Sequence, residues 1–208
     1  MNRLHLLLLL ACCLLAGCAS YGRQGPPPLE KGAPVVLIHP LTDSYRQATV
    51  GVLPFQMPPG VNGEEGLRVA ALFKDMLLGK RIFPVVRQLT GEYGDLDEAV
   101  ALGRKAGVGL VLAGQVGSLL AGTEIGGARA SVSVRLLDTA SGQTVWYVEQ
   151  AMSQEMDLPD LSLGARLGSV MSVQPLRQVA AAPPATNMLA RMAEDLADVL
   201  QGARSVSR

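Results

Sequence analysis

Few side chains in this sequence are equipped for covalent chemistry. The cysteines are Cys12, Cys13 and Cys18 and the histidines are His5 and His39, so everything past residue 18 works without a thiol and with one imidazole. Thiol catalysis, thiolate metal sites and internal disulfides are excluded there. A serine triad or a histidine zinc site would have to use His39, which lies beside Pro40 after the apolar run Val35 to Ile38 and reads as a strand-end residue. Carboxylates cluster at Glu64/Glu65, at Asp95/Asp97/Glu98 and at Glu155/Asp157/Asp160. The first two clusters stand where helix starts need anions. The third flanks Pro159 and is where a hydrolytic acid/base pair would be sought, but it reads as a solvated loop and lacks the ligand alternation and glycine of a calcium loop. Glycines 107, 109, 114 and 117 do not fit G-x-G-x-x-G, and Lys74 stands where a phosphate loop ending in Gly79-Lys80 would need glycine. The reading is therefore a non-enzyme: no catalytic residues, no cofactor and no metal.

The amino terminus is organised for export. Arg3 supplies a positive charge, Leu4 to Leu15 an apolar stretch of signal-peptide length, and Gly17 a small residue before a cleavage point. A membrane span needs about 20 apolar residues, and Ala19 to Arg23 interrupt the run too early. Leu15-Ala16-Gly17-Cys18 resembles the lipobox of bacterial lipoproteins. The resemblance implies cleavage between Gly17 and Cys18, a diacylglyceryl thioether on Cys18 and acylation of the new terminus. Two acyl chains, at about 0.8 kcal/mol per buried methylene, already anchor a protein stably. By the sorting rule of such lipoproteins in enteric bacteria, Ala19 in place of aspartate implies the outer membrane.

Loss of the leader takes Arg3 from the 18 basic residues and nothing from the 18 acidic ones, leaving a near-neutral chain. No basic stripe is present, so no nucleic acid is expected, nor electrostatic binding to anionic lipid. Gly25-Pro26-Pro27-Pro28 and Lys31-Gly32-Ala33-Pro34 give residues 18–47 the composition of an extended tether. Residues 48–202 are then one periplasmic domain, with a loosely packed insertion near 155–185, where Ala180 to Pro184 is Ala/Pro-rich, and 203–208 a disordered tail.

Within the domain, Thr49 to Leu53 has the β-branched content of a buried strand. Asn62 and Glu65 resemble a capping box opening a helix that buries Val69, Leu72, Phe73, Met76 and Leu77 and ends at Gly79. Ile82 to Val86 reads as a strand that Pro84 confines to an edge or bulge. Asp95 and Glu98 open a second helix, with Leu96, Ala99, Val100 and Ala106 inward and Gly107 at its end. Val108 to Val116 is apolar on both faces, as in a central strand. Val132, Val134 and Leu136 alternate with Ser131, Ser133 and Arg135, giving a strand with one wet face. Asp138 to Gly142 turns that strand and Thr144 to Val148 returns, carrying Trp146 as a packing residue. Asn187 to Leu200 is a last amphipathic helix. The expected fold is α/β (α+β): a single mixed sheet of about five strands with two or three packed helices, ordered β-α-β-α-β-β-β-α.

Three stretches, Val50 to Phe55, Val111 to Val116 and Arg135 to Trp146, resemble the sequence landmarks of the curli-channel-like lipoproteins. That group takes in the curli secretion lipoprotein, the Pel polysaccharide export lipoprotein, flagellar outer-membrane lipoproteins, the lipoprotein activator of penicillin-binding proteins and the amino-terminal domain of TolB. Pro54, Gly114, Asp138, Gly142 and Trp146 are the positions that carry the motifs. Val108-Gly109 departs from the family's alanine-aspartate pair before the third strand. The resemblance implies a scaffold or export part with envelope protein partners, held to a membrane through Cys18 and assembled as a homo-oligomeric ring. The short Gly117 to Ala130 link and prolines 159, 175, 183 and 184 argue against a pore. The alternative is a regulatory lipoprotein that binds a peptidoglycan synthase.

Overall fold

The computed structural model describes residues 29–39, 45, 47–122, 127–155 and 185–203. Among the described residues seven strands and three helices follow one another: β1 (Leu29–Lys31), β2 (Val35–Ile38), β3 (Thr49–Val52), α1 (Gly63–Gly79), β4 (Val85–Gln88), α2 (Leu96–Ala106), β5 (Leu110–Leu120), β6 (Arg129–Asp138), β7 (Thr144–Gln154) and α3 (Ala185–Ala203). The strands form one mixed sheet in the order β1-β7-β6-β5-β3-β4, with β2 also on β7.

β3 lies between β4 and β5 and is parallel to both, so α1 and α2 are the crossovers that parallel strands require. β5, β6 and β7 form an antiparallel meander of ten- and eleven-residue strands. The α+β class and mixed sheet agree with the sequence, but the count of about five strands is corrected to seven. The additional strands are β1 and β2, which pair antiparallel with Met152–Gln154 and Tyr147–Glu149. Prolines and glycines around them hide a pairing whose partner lies more than a hundred residues away.

Both crossover helices start on side chains suited to the work. Asn62 accepts from Glu64 N at 3.1 Å, and Asp95 accepts from Glu98 N at 2.8 Å. Such caps are worth about 1 kcal/mol each. Glu98 reaches back to Gly94 N at 2.6 Å. Gly107 closes α2 in the left-handed conformation, with φ 66°.

The sheet has two unequal apolar faces. On the larger, Val50, Val52, Leu110, Leu112, Val132, Val134, Leu136, Trp146 and Val148 pack beneath α1 and α3. α3 contributes Met188, Leu189, Met192, Leu196 and Leu200, all buried. Its 19 residues make a lid of about five turns whose apolar stripe joins the core. On the other face α2 covers only a corner, where Ala99 and Val100 meet Leu53, Val108, Val111, Ala113 and Leu137. β4 begins after Pro84 rather than including it and is the sheet edge, while Ile82 and Phe83 plug the larger core.

Candidate functional site

Gly17 and Cys18, the expected cleavage and lipid-attachment residues, lie outside the described residues, as do Asp157 and Asp160. The five motif residues are described, and they fall into two groups. Pro54 and Gly114 meet where β3 leaves the sheet; Asp138, Gly142 and Trp146 belong to the β6–β7 turn and the strand after it.

At the first place the chain alternates partners. Leu53 N donates to Leu112 O at 3.0 Å, Phe55 N to Gly66 O at 3.0 Å, and Gln56 N to Gly114 O at 2.9 Å. Half-buried Pro54 lacks an N–H and stands between two residues whose donors are both used. The bare α-carbon of Gly114 admits the Phe55 ring, which stacks tilted on Phe73 with centroids 4.6 Å apart. Tyr93 Oη adds a second donor to Gly114 O at 3.0 Å. Burial drives the Tyr93 phenol up to about 12.

At the second place Asp138 Oδ1 accepts from Ala140 N at 2.7 Å and Ser141 N at 3.4 Å, and Gly142 N donates to Asp138 O at 2.8 Å with φ 76° at Gly142. Tyr45 Oη reaches Asp138 Oδ2 at 3.4 Å; burial, then the Asp138 charge and this hydrogen bond, raise the Tyr45 phenol. Thr139 is buried and donates to Val108 O at 2.7 Å, while Arg104 Nε donates to Thr139 O at 2.6 Å, tying the turn to the end of α2. Trp146 is 1% exposed, and its indole Nε1 is buried without a protein acceptor. It is a core residue and presents no surface to a ligand.

Neither group contains a histidine or a cysteine. His39 is exposed just past β2. Glu64, Glu65, Asp95 and Glu98 stand at helix starts. Among the described residues no three His, Cys, Asp or Glu side chains converge as metal ligands. No described helix is long and apolar enough to cross a membrane.

Sequence reasoning read the wet face of β6 but not the surface it forms with β5 and β7. Beyond α2 the second face of β5, β6 and β7 is exposed at Gln115, Gly117, Glu149 and Ala151. Register places Ala113, Arg135 and Tyr147 in one row, Gln115, Ser133 and Glu149 in the next, then Ser118, Ser131 and Ala151, then Leu120, Arg129 and Ser153. Arg135 holds its guanidinium 4.1 Å from the Tyr147 ring centroid. The Tyr147 phenol donates to Glu149, and that bond is the main reason its proton is held more tightly than usual. At the sheet edge, Val35, Val36, Leu37 and Ile38 of β2 are all exposed. Beside them Lys31 Nζ and Gln150 Nε2 converge on Asp195 of α3 at 2.6 and 2.7 Å.

Neither a protein-family model nor a curated protein sequence matches the chain. Solved structures do. The chain is similar to the PelC dodecamer from Paraburkholderia phytofirmans, with TM-score 0.46 and 16% identity, over 81% of this chain and 96% of that one. It is similar to lipoprotein GNA1162 from Neisseria meningitidis, with TM-score 0.39 and 20% identity over 60% and 93%. The LpoB C-terminal domain from Escherichia coli gives TM-score 0.33 and 15% identity over 54% and 88%.

Proposed function

We propose that the protein is a non-enzymatic lipoprotein, anchored through Cys18 to the periplasmic face of the outer membrane, whose α/β domain is an assembly part of an envelope export or surface-structure system. The observation that carries this reading is Leu15-Ala16-Gly17-Cys18 closing a short apolar leader. Three acyl groups on one residue exceed the two chains that stable membrane residence requires.

The domain's surface supports an assembly role. Among the described residues both sheet edges lack a further strand, and each carries exposed apolar residues: Val35 to Ile38 on β2 and Val85 on β4. Exposed apolar edge strands are avoided in solitary proteins because they recruit other chains. A homo-oligomeric ring, as the motif resemblance implies, would cover them.

Labelling cells with a radioactive or alkynyl fatty acid and comparing wild type with Cys18→Ser tests the anchor. The wild type takes up label and sediments with outer membranes, and the variant does neither; an unlabelled wild type contradicts the proposal. Crosslinking in cells then separates the scaffold from the regulatory alternative: export components support the former, and recovery of a peptidoglycan synthase alone replaces it with the latter.

A further inference from the structure

The open face of β5, β6 and β7 is a groove. Three adjoining depressions of about 250, 480 and 610 Å³ run along β6, the first meeting the second at Gln115 and Ser133 and the second meeting the third at Ser131 and Ala151. From Arg135 to Arg129 the groove covers six residue steps, or about 20 Å of strand. Its floor is low because the residues there are Gly117, Ser131, Ser133, Ala151 and Ser153. At one end stand the Gln56 and Gln115 amides and the stacked Arg135–Tyr147 pair.

We propose that this groove binds an extended, hydroxyl-rich glycan chain without net charge. Three features of the groove argue for this occupant over others. The groove runs along β6, which is hydrogen-bonded to β5 on one side and β7 on the other along its length, so a peptide cannot add to it as a strand. The floor offers hydroxyls and glycine where a docking helix or peptide would need deep apolar pockets for its anchors. Charges are balanced along the groove, Arg135, Arg129 and Lys31 against Asp95, Glu149 and Glu30, which gives no attraction for nucleic acid or for an anionic lipid surface. A sugar chain needs what is present: serine hydroxyls and glutamine amides that both donate and accept, fixed donors on arginine, acceptor carboxylates, and a rigid amphipathic Arg–Tyr pair at one end. The proposal deepens the envelope-scaffold reading and takes from it only the location in which glycans are met.

The test is saturation-transfer NMR followed by calorimetry on the full-length mature protein in detergent, with cellotetraose, maltotetraose and chitotetraose as probes. At least one tetrasaccharide binds. Its Kd rises about tenfold in Ser133→Trp, which fills the floor, and in Gln115→Ala, an exposed change that leaves the core untouched. Leu78→Ser, on exposed α1 surface, leaves the Kd unchanged. Binding to none of the three at millimolar sugar by folded protein overturns the proposal, as does equal affinity in both groove variants. The two readings fail separately: an unacylated chain that binds sugar defeats the anchor alone, and a lipidated chain that binds none defeats the groove alone.

Discussion

The Phe55 ring occupies the space a side chain at position 114 would fill: a Cβ built on Gly114 lies 2.2 Å from Phe55 Cε1 and 2.4 Å from Cζ. Phe55 is buried against Phe73 and has little room to retreat. Gly114→Ala is therefore expected to destabilise the domain by about 1–3 kcal/mol, the usual cost of overpacking. Urea denaturation reads this as a lower midpoint at unchanged slope. An unaltered midpoint would mean that the ring moves freely.

Asp138 and Gly142 hold the β6–β7 turn by different means, and their variants should separate. Nothing lies within 4 Å of a Cβ on Gly142, so Gly142→Ala costs only left-handed backbone strain, about 1–2 kcal/mol. Asp138→Ala strips the acceptor from Ala140 N and Ser141 N and frees Tyr45, a loss of about 1 kcal/mol or somewhat more. Thermal melts of the two single variants and the double variant check this. Because both act on one turn, the double variant should fall short of the sum.

Asp195 fastens the end of β1 onto α3, through Lys31 and through the buried amide of Gln150, which also donates to Gly32 O. The Lys31 side chain is half exposed, so the ion pair itself adds little. Asp195→Ala is expected to speed amide hydrogen exchange in β1 and β2 while leaving β5 and β6 protected. Uniform loss of protection would show that the clamp is global rather than local.

Tyr93 predicts an alkaline limit. Its phenol titrates at about 12 in the fold against an ordinary 10.0, so the folded state prefers the protonated form. The stability this adds is complete below pH 10 and is lost as pH climbs through about 12, on the order of 2 kcal/mol in all. Tyr93→Phe should flatten that decline. At neutral pH it should cost little, because Gly114 O keeps the Gln56 donor.

Local signals in the sequence proved readable and long-range ones did not. Asn62, Asp95 and Gly107 mark helix ends through residues within a turn of themselves. The turn from Asp138 to Gly142 and the wet face of β6 are legible for the same reason. β1 was hidden, and β2 was legible only as a strand ending at His39, with nothing in Val35 to Ile38 to show that its ladder partner is β7. Pairing of Arg135 with Tyr147 depends on a register shift in β7 just before Trp146, which no alternation of residue types announces. The open groove depends on α2 being too short to cover the sheet, a relation between elements rather than within one.

Mass spectrometry of the amino terminus of the native protein, extracted from membranes, tests the central claim most directly. The account predicts a mature chain beginning at Cys18 and carrying a thioether-linked diacylglycerol and an amide-linked acyl chain. A chain beginning at Met1 with an unmodified Cys18 would contradict it.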